Sequence, residues 1–231
     1  MNAAGLPSAR LTRFAACGSQ TWIEAQRLSP IRPAPGQPDP FSAARLRCNC
    51  CRDRFCTPCA ATRARVLARS LIALLAGHTA RFITLTLRST DEPLSDQIDH
   101  LYASYRSLRK TRLWTANVTA AAAMLEITRN KATGRWHPHL HVLAEGRFIP
   151  HADLRKAWTT ASNGSFICDI RMVKDLAKAA TYVAKYVSKP MVATYASSVE
   201  AIAEALAALR HRRMVLLTGT WHAVSDEEPP D

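Results

Sequence analysis

The chain has 231 residues, 48% of them hydrophobic, with 31 Lys+Arg against 18 Asp+Glu and a formal net charge of +13. This apolar content excludes a disordered polymer and suffices for one sizeable core, while the basic excess points to a polyanionic partner, nucleic acid before an anionic membrane surface. Four of the acids, Asp226, Glu227, Glu228 and Asp231, crowd into the last six positions, so the body of the chain is more basic still.

At the N-terminus, Arg10 and Arg13 interrupt the sequence before any continuous export signal can form. The apolar stretch from Val66 to Leu75 is broken by Arg69 and Ser70, short of a membrane span. The expectation is a cytoplasmic protein that does not enter a membrane. Residues 28–41 hold five prolines and a glycine, which reads as a surface loop ahead of a small cysteine-rich module.

Five of the seven cysteines lie between Cys48 and Cys59. In a chain without an export signal, such crowding argues for a metal rather than a disulfide framework. Cys48-x2-Cys51-x4-Cys56-x2-Cys59 supplies two C-x-x-C pairs, the ligand set of a closed, structural Zn²⁺ site. Cys50 is then spare and Cys17 a substitute ligand. Arg45, Arg47, Arg52, Arg54, Arg63, Arg65 and Arg69 surround the cluster with only Asp53 in opposition, which marks the module, Arg52 and Arg54 in particular, as a contact for a nucleic-acid backbone.

From Ala60 to Ala76 the apolar spacing is helical. Phe82 to Leu87 alternates at period two and predicts a strand. A helix over 94–113 follows, then a strand over 119–128, a turn at Asn130–Gly134 and a second strand, Trp136 to Leu143. A helix (Pro150 to Ala161), a strand (Ser165 to Val173) and a helix (Lys174 to Ser188) come next, with a last helix (Ser197 to Leu209) and strand (Met214 to Thr220). The predicted fold is α+β: a β-α-β-β-α-β antiparallel sheet of split βαβ, ferredoxin-like type, with its helices on one face. The expected division is a zinc module in residues 1–59, a catalytic domain in 60–225 and an acidic tail in 226–231.

Trp136-His137-Pro138-His139-Leu140-His141-Val142 puts three imidazoles on one strand face and Leu140 and Val142 on the other. Imidazoles converging from a rigid strand are half of a divalent metal site. On the preceding strand Leu125 and Ile127 flank Glu126, so Glu126 shares the histidine face. A turn centred near residues 132–133 sets Glu126 opposite His139. Glu126 or His137 then supplies the third ligand; the alternative for Glu126 is an exposed pair with Arg135. Such a His/carboxylate set suits Mn²⁺ or Mg²⁺.

Tyr182 and Tyr186 stand one helical turn apart, on a flank shared with Lys178, Lys185 and Lys189 and away from the apolar stripe. Tyrosines among lysines are candidates for phosphate contact, and a tyrosine nucleophile needs nearby positive charge or a polarised target. No nucleotide-binding Gly-rich loop ending in Lys-Ser or Lys-Thr occurs.

Phe82-Ile83-Thr84-Leu85-Thr86, His139-Leu140-His141 and Tyr182-Val183-Ala184-Lys185-Tyr186, in that order, resemble the three motifs of HUH-type endonucleases, specifically rolling-circle replication initiator (Rep) proteins. The resemblance covers residues 45–225. It implies site-specific nicking and joining of single-stranded DNA through a 5′-phosphotyrosine, with His139 and His141 as metal ligands and Tyr186 and Tyr182 as nucleophiles. It also supports zinc at the cysteine segment. Implied partners are single-stranded DNA at a replication origin or mobile-element end, with host helicase and polymerase. Tyr182 stands where single-tyrosine plasmid initiators keep a glutamate, so an HUH transposase is an alternative; a non-catalytic zinc-containing DNA-binding protein is the rival from another class.

Overall fold

The computed structural model describes residues 8–24, 45–53, 55–175, 177–182 and 198–221. A short helix α1 (Ser8–Ala15) and two strands, β1 (Thr21–Glu24) and β2 (Arg45–Cys48), form the N-terminal module. Then come α2 (Thr57–Leu75), β3 (Ala80–Thr86), α3 (Leu94–Arg109), α4 (Arg112–Asn117), β4 (Val118–Arg129), β5 (Trp136–Gly146), α5 (His151–Ala161) and β6 (Cys168–Met172). A helical segment over 177–182, here α6, precedes α7 (Val199–Ala208) and β7 (Val215–Gly219).

The main sheet has the order β6-β3-β5-β4-β7, with every neighbouring pair antiparallel. The α+β, split βαβ expectation is therefore borne out. The predicted helix over 94–113 is divided in two: the Thr111 side chain caps a new helix by accepting the Trp114 N–H at 3.3 Å, and α4 starts there.

Alternation along β4 and β5 sends residues to two separate cores. Ala121, Ala123, Leu125, Leu140 and Val142 pack with α3, α5 and α7, whose stripe includes Leu94, Ile98, Leu101 and Trp158. Ala120, Ala122, Met124 and Leu143 pack on the other face with Leu71 and Leu75 of α2, Ala180 of α6 and Trp221. Helices thus cover both faces, against the expectation of one. The cause is that α2 and α6 bring apolar stripes of their own, and alanines on β4 let helices approach from either side. Double coverage also explains why residues 120–127 of β4 are buried without interruption.

The β4–β5 hairpin has the anticipated centre, because Arg129 pairs with Trp136 and Asn130 closes the turn by accepting the N–H groups of Ala132 and Thr133 at 2.9 and 3.0 Å. Pro138 is accommodated in this central strand because β3 pairing ends at His139, one residue earlier in the ladder, so the missing N–H lies beyond it. Among the described residues no helix is long and apolar enough to cross a membrane.

Candidate active site and thiol cluster

The hairpin register pairs Glu126 with His139 and Met124 with His141. All three polar side chains lie on the α2/α6 face, at the end of that second core. Nε2 of His139 is 2.5 Å, and Nε2 of His141 2.9 Å, from the same Glu126 oxygen, Oε2. Side-chain exposure is only 12% for His139 and 8% for His141 and Glu126, so this is a covered pocket and not the solvated strand face expected from sequence. The reason is again the second helical layer. Arg135, the alternative partner for Glu126, instead grips Asp91 at 2.6 Å through two nitrogens.

Each imidazole is held from behind. Nδ1 of His139 lies 3.2 Å from the His137 carbonyl, and Nδ1 of His141 3.3 Å from Oγ1 of Thr84 on β3. A carbonyl only accepts, so Nδ1 of His139 carries its hydrogen, and Nε2 is turned toward the carboxylate. The short Nε2–Oε2 approach then needs either a second proton on the ring or a cation between the groups. The three donor atoms lie within 4.8 Å of one another, and this donor set fits a small divalent ion. His137 stands outside the group of three; its ring, 5.6 Å from that of His139, is half-buried, and burial, followed by the neighbouring His139, lowers its pKa and keeps it neutral.

Tyr182 is half-exposed on α6, with its ring against Phe82, which in turn stacks on His141. Between α6 and β6 opens a cleft of about 820 Å³, lined by Phe82, Arg171, Lys174, Lys178 and Tyr182 among others. Tyr186, Lys185, Lys189 and Arg54 lie outside the described residues. Arg52 is described and exposed, in a left-handed conformation (φ 54°), and its carbonyl accepts from the Arg63 guanidinium.

The thiols converge differently from their sequence spacing. Cys17, Cys51, Cys56 and Cys59 are mutually within 4.8 Å, and the exposed Cys48 on β2 is not among them. Cys17 takes its place because β1 pairs with β2, and Asn49 then ties the Cys17 loop down: its Nδ2 donates to the Ala16 carbonyl at 2.6 Å and its Oδ1 accepts from Gln20 N–H at 2.9 Å. Cys48 has its register partner in Thr21 and stays on the small sheet. Cys56 caps α2 and Cys59 falls in its first turn. The Cys17–Cys59, Cys17–Cys56 and Cys51–Cys59 separations are 3.5, 3.5 and 3.6 Å, close to the edge of about 3.8 Å for four thiolates around Zn²⁺. Backbone N–H groups of Cys51 and Asp53 point at the sulfurs of Cys17 and Cys51. The first lowers the pKa of Cys17, and burial raises that of Cys59. Cys50 approaches Cys59 at 3.1 Å but lies outside the group of four.

A profile of the replication protein family matches residues 44–231, a span that takes in the cysteine segment, the Glu–His cluster and the tyrosine motif. The chain belongs to the replication protein family. The resemblance to Rep initiators is thus borne out at the level of the family. A "Protein rep" of a Bacillus species is 32% identical over 144 residues, covering 55% of this chain and 47% of the relative. Its counterpart in Bacillus amyloliquefaciens is 31% identical over 144 residues, 55% of this chain and 42% of the relative. One from Staphylococcus aureus is 32% identical over 104 residues, 42% of this chain and 45% of the relative. The match therefore spans a little under half the length of these curated Rep relatives. No solved structure matches the chain.

Sequence reasoning on this replication protein missed two residues that hold the site, Thr84 and Phe82. Both sit in the first motif at alternate positions, and that period-two spacing places them on the histidine face.

Proposed function

We propose that this protein is a plasmid rolling-circle initiator that nicks and rejoins single-stranded DNA at a replication origin through a 5′-phosphotyrosine. The observation that carries the reading is the buried Glu126–His139–His141 group with Tyr182 one aromatic ring away, at a cleft lined by Arg171, Lys174 and Lys178. Glu126, His139 and His141 would hold Mn²⁺ or Mg²⁺, which when bound polarises the scissile phosphate. The hydroxyl oxygen of Tyr186 attacks phosphorus, the bond to the 3′ oxygen breaks, and the tyrosine proton is made good on the departing 3′-hydroxyl. The ester count is unchanged, so no nucleotide triphosphate is consumed.

Lys185 lowers the cost of the phenolate, Tyr182 performs the second transfer that closes a round, and Lys189, Arg52 and Arg54 bind DNA backbone. The freed 3′-hydroxyl is a primer, so a host polymerase and helicase are the partners this reading requires. Cys17, Cys51, Cys56 and Cys59 would hold a structural Zn²⁺ that anchors the N-terminal module to α2.

The test is incubation of the full chain with single-stranded origin DNA and Mn²⁺, followed by denaturing electrophoresis and mass spectrometry of the adduct. A covalent adduct on Tyr186 or Tyr182 supports the reading. A reversible mobility shift alone indicates a non-catalytic DNA-binding protein.

A further inference from the structure

Phe82 meets the two halves of the proposed site with one ring. Its centroid is 5.5 Å from that of His141, with planes 24° apart, and 5.6 Å from that of Tyr182, at 64°. Two residues on, Thr84 engages Nδ1 of His141. Strand β3 therefore holds this imidazole by its edge through Thr84 and by its face through Phe82. The strand register makes this possible: Thr84 is paired directly with His141, and Phe82 precedes it on the same face.

A phenylalanine that only fills a core is surrounded by aliphatic groups and sealed from solvent. Phe82 is half-buried, lines the cleft, and has aromatic contacts toward the site. Stacked and edge-to-face rings have preferred geometries that an aliphatic side chain of similar volume does not impose. An imidazole restrained at Nδ1 and over its face has Nε2 fixed in direction. A tyrosine packed edge-on to the same phenylalanine has its helix fixed relative to that imidazole.

We infer that Phe82 is a positioning residue, which aligns the tyrosine-bearing helix with the His141 side of the metal centre and so sets the share of strand transfer carried by Tyr182. The inference rests on the reading given under Proposed function. Phe82 touches neither the reacting phosphate nor a proton in transfer. It acts through His141 and Tyr182.

The experiment compares the full chain with Phe82→Leu and Phe82→Tyr. In the metal-free protein, NMR follows the His141 ring protons, which lie over the Phe82 face and carry its ring-current shift. Mn²⁺ titration by electron paramagnetic resonance gives affinity, and mass spectrometry of trapped adducts gives the Tyr182 to Tyr186 ratio. Phe82→Leu is expected to abolish the ring-current shift, weaken Mn²⁺ binding about tenfold, lower kcat with KM little changed, and reduce the Tyr182 share. Phe82→Tyr is expected to restore all four. Should Phe82→Leu not fold, Phe82→Met takes its place with the same expectations.

Unchanged His141 shifts and an unchanged adduct ratio in the aliphatic variant would overturn the inference, as would failure of Phe82→Tyr to rescue. A wild-type protein that binds Mn²⁺ but forms no adduct defeats the nicking reading instead, and the proposed share of strand transfer falls with it.

Discussion

Glu126 and His139 are register partners across the β4–β5 hairpin, and Oε2 of one lies 2.5 Å from Nε2 of the other. Because His141 reaches the same oxygen from the next position on that face, a single carboxylate atom is shared by two imidazoles. Glu126→Gln replaces this acceptor with an amide whose donor end can be turned to only one ring. The expected outcome is a loss of Mn²⁺ affinity and of nicking of at least about 100-fold, with a stability cost of about 1–3 kcal/mol from the disturbed buried pairing. Calorimetric Mn²⁺ titration beside the nicking assay checks it; retained affinity would remove Glu126 from the ligand set.

The thiol cluster separates two ligand sets that sequence spacing treats alike. Cys17→Ser should lose bound Zn²⁺ and melt the N-terminal module as thoroughly as Cys59→Ser, whereas Cys48→Ser should retain both metal and stability. Zinc content by mass spectrometry of purified variants decides the matter. Zinc loss from Cys48→Ser with full retention in Cys17→Ser would reverse the assignment.

Two glycines brace the irregular start of β4, where the register shifts between Val118 and Ala120. Gly146 has φ of +146° and a Cβ there would fall 1.9 Å from the Asn117 carbonyl oxygen; at Gly219, φ +68°, it would fall 2.0 Å from that of Thr119. The obstacle is backbone on each side, which cannot swing aside. Either Gly→Ala substitution should cost more than about 2 kcal/mol, read from urea unfolding midpoints. A change below about 0.5 kcal/mol would mean that the strands part easily at this bulge.

Tyr105 of α3 is fully buried against Trp114 and beneath the Arg109 guanidinium, and burial pushes its pKa up to about 12. A raised folded-state value means the native protein keeps the phenol proton longer than the unfolded chain does. The contribution is complete below pH of about 10 and fades as pH climbs toward about 12, a loss of about 2–3 kcal/mol. Tyr105→Phe should flatten this alkaline decline. Parallel slopes for both proteins between pH 8 and 11 would assign the decline to other groups.

Much of the metal site is legible in the chain because strand geometry is local. Period two puts His139 and His141 on one face, Leu125 and Ile127 flank Glu126, and a turn centred between residues 132 and 133 fixes which residues oppose one another. The same periodicity places Phe82 and Thr84 beside the histidines without revealing that a ring stacks there. What surrounds that face is not local. The helices α2 and α6 cover it through contacts far apart in sequence, which converts an apparently solvated row of histidines into a buried pocket. The choice of Cys17 over Cys48 is of the same kind: it depends on β1 and β2 pairing across the residues between them, and C-x-x-C spacing carries no information about that closure. Side-chain direction and hairpin register follow from the amino-acid sequence by itself, because they are set within a few residues. Burial, the fourth thiol and the aromatic contact between metal centre and tyrosine were decided only by tertiary structure, because each depends on which distant segments pack together.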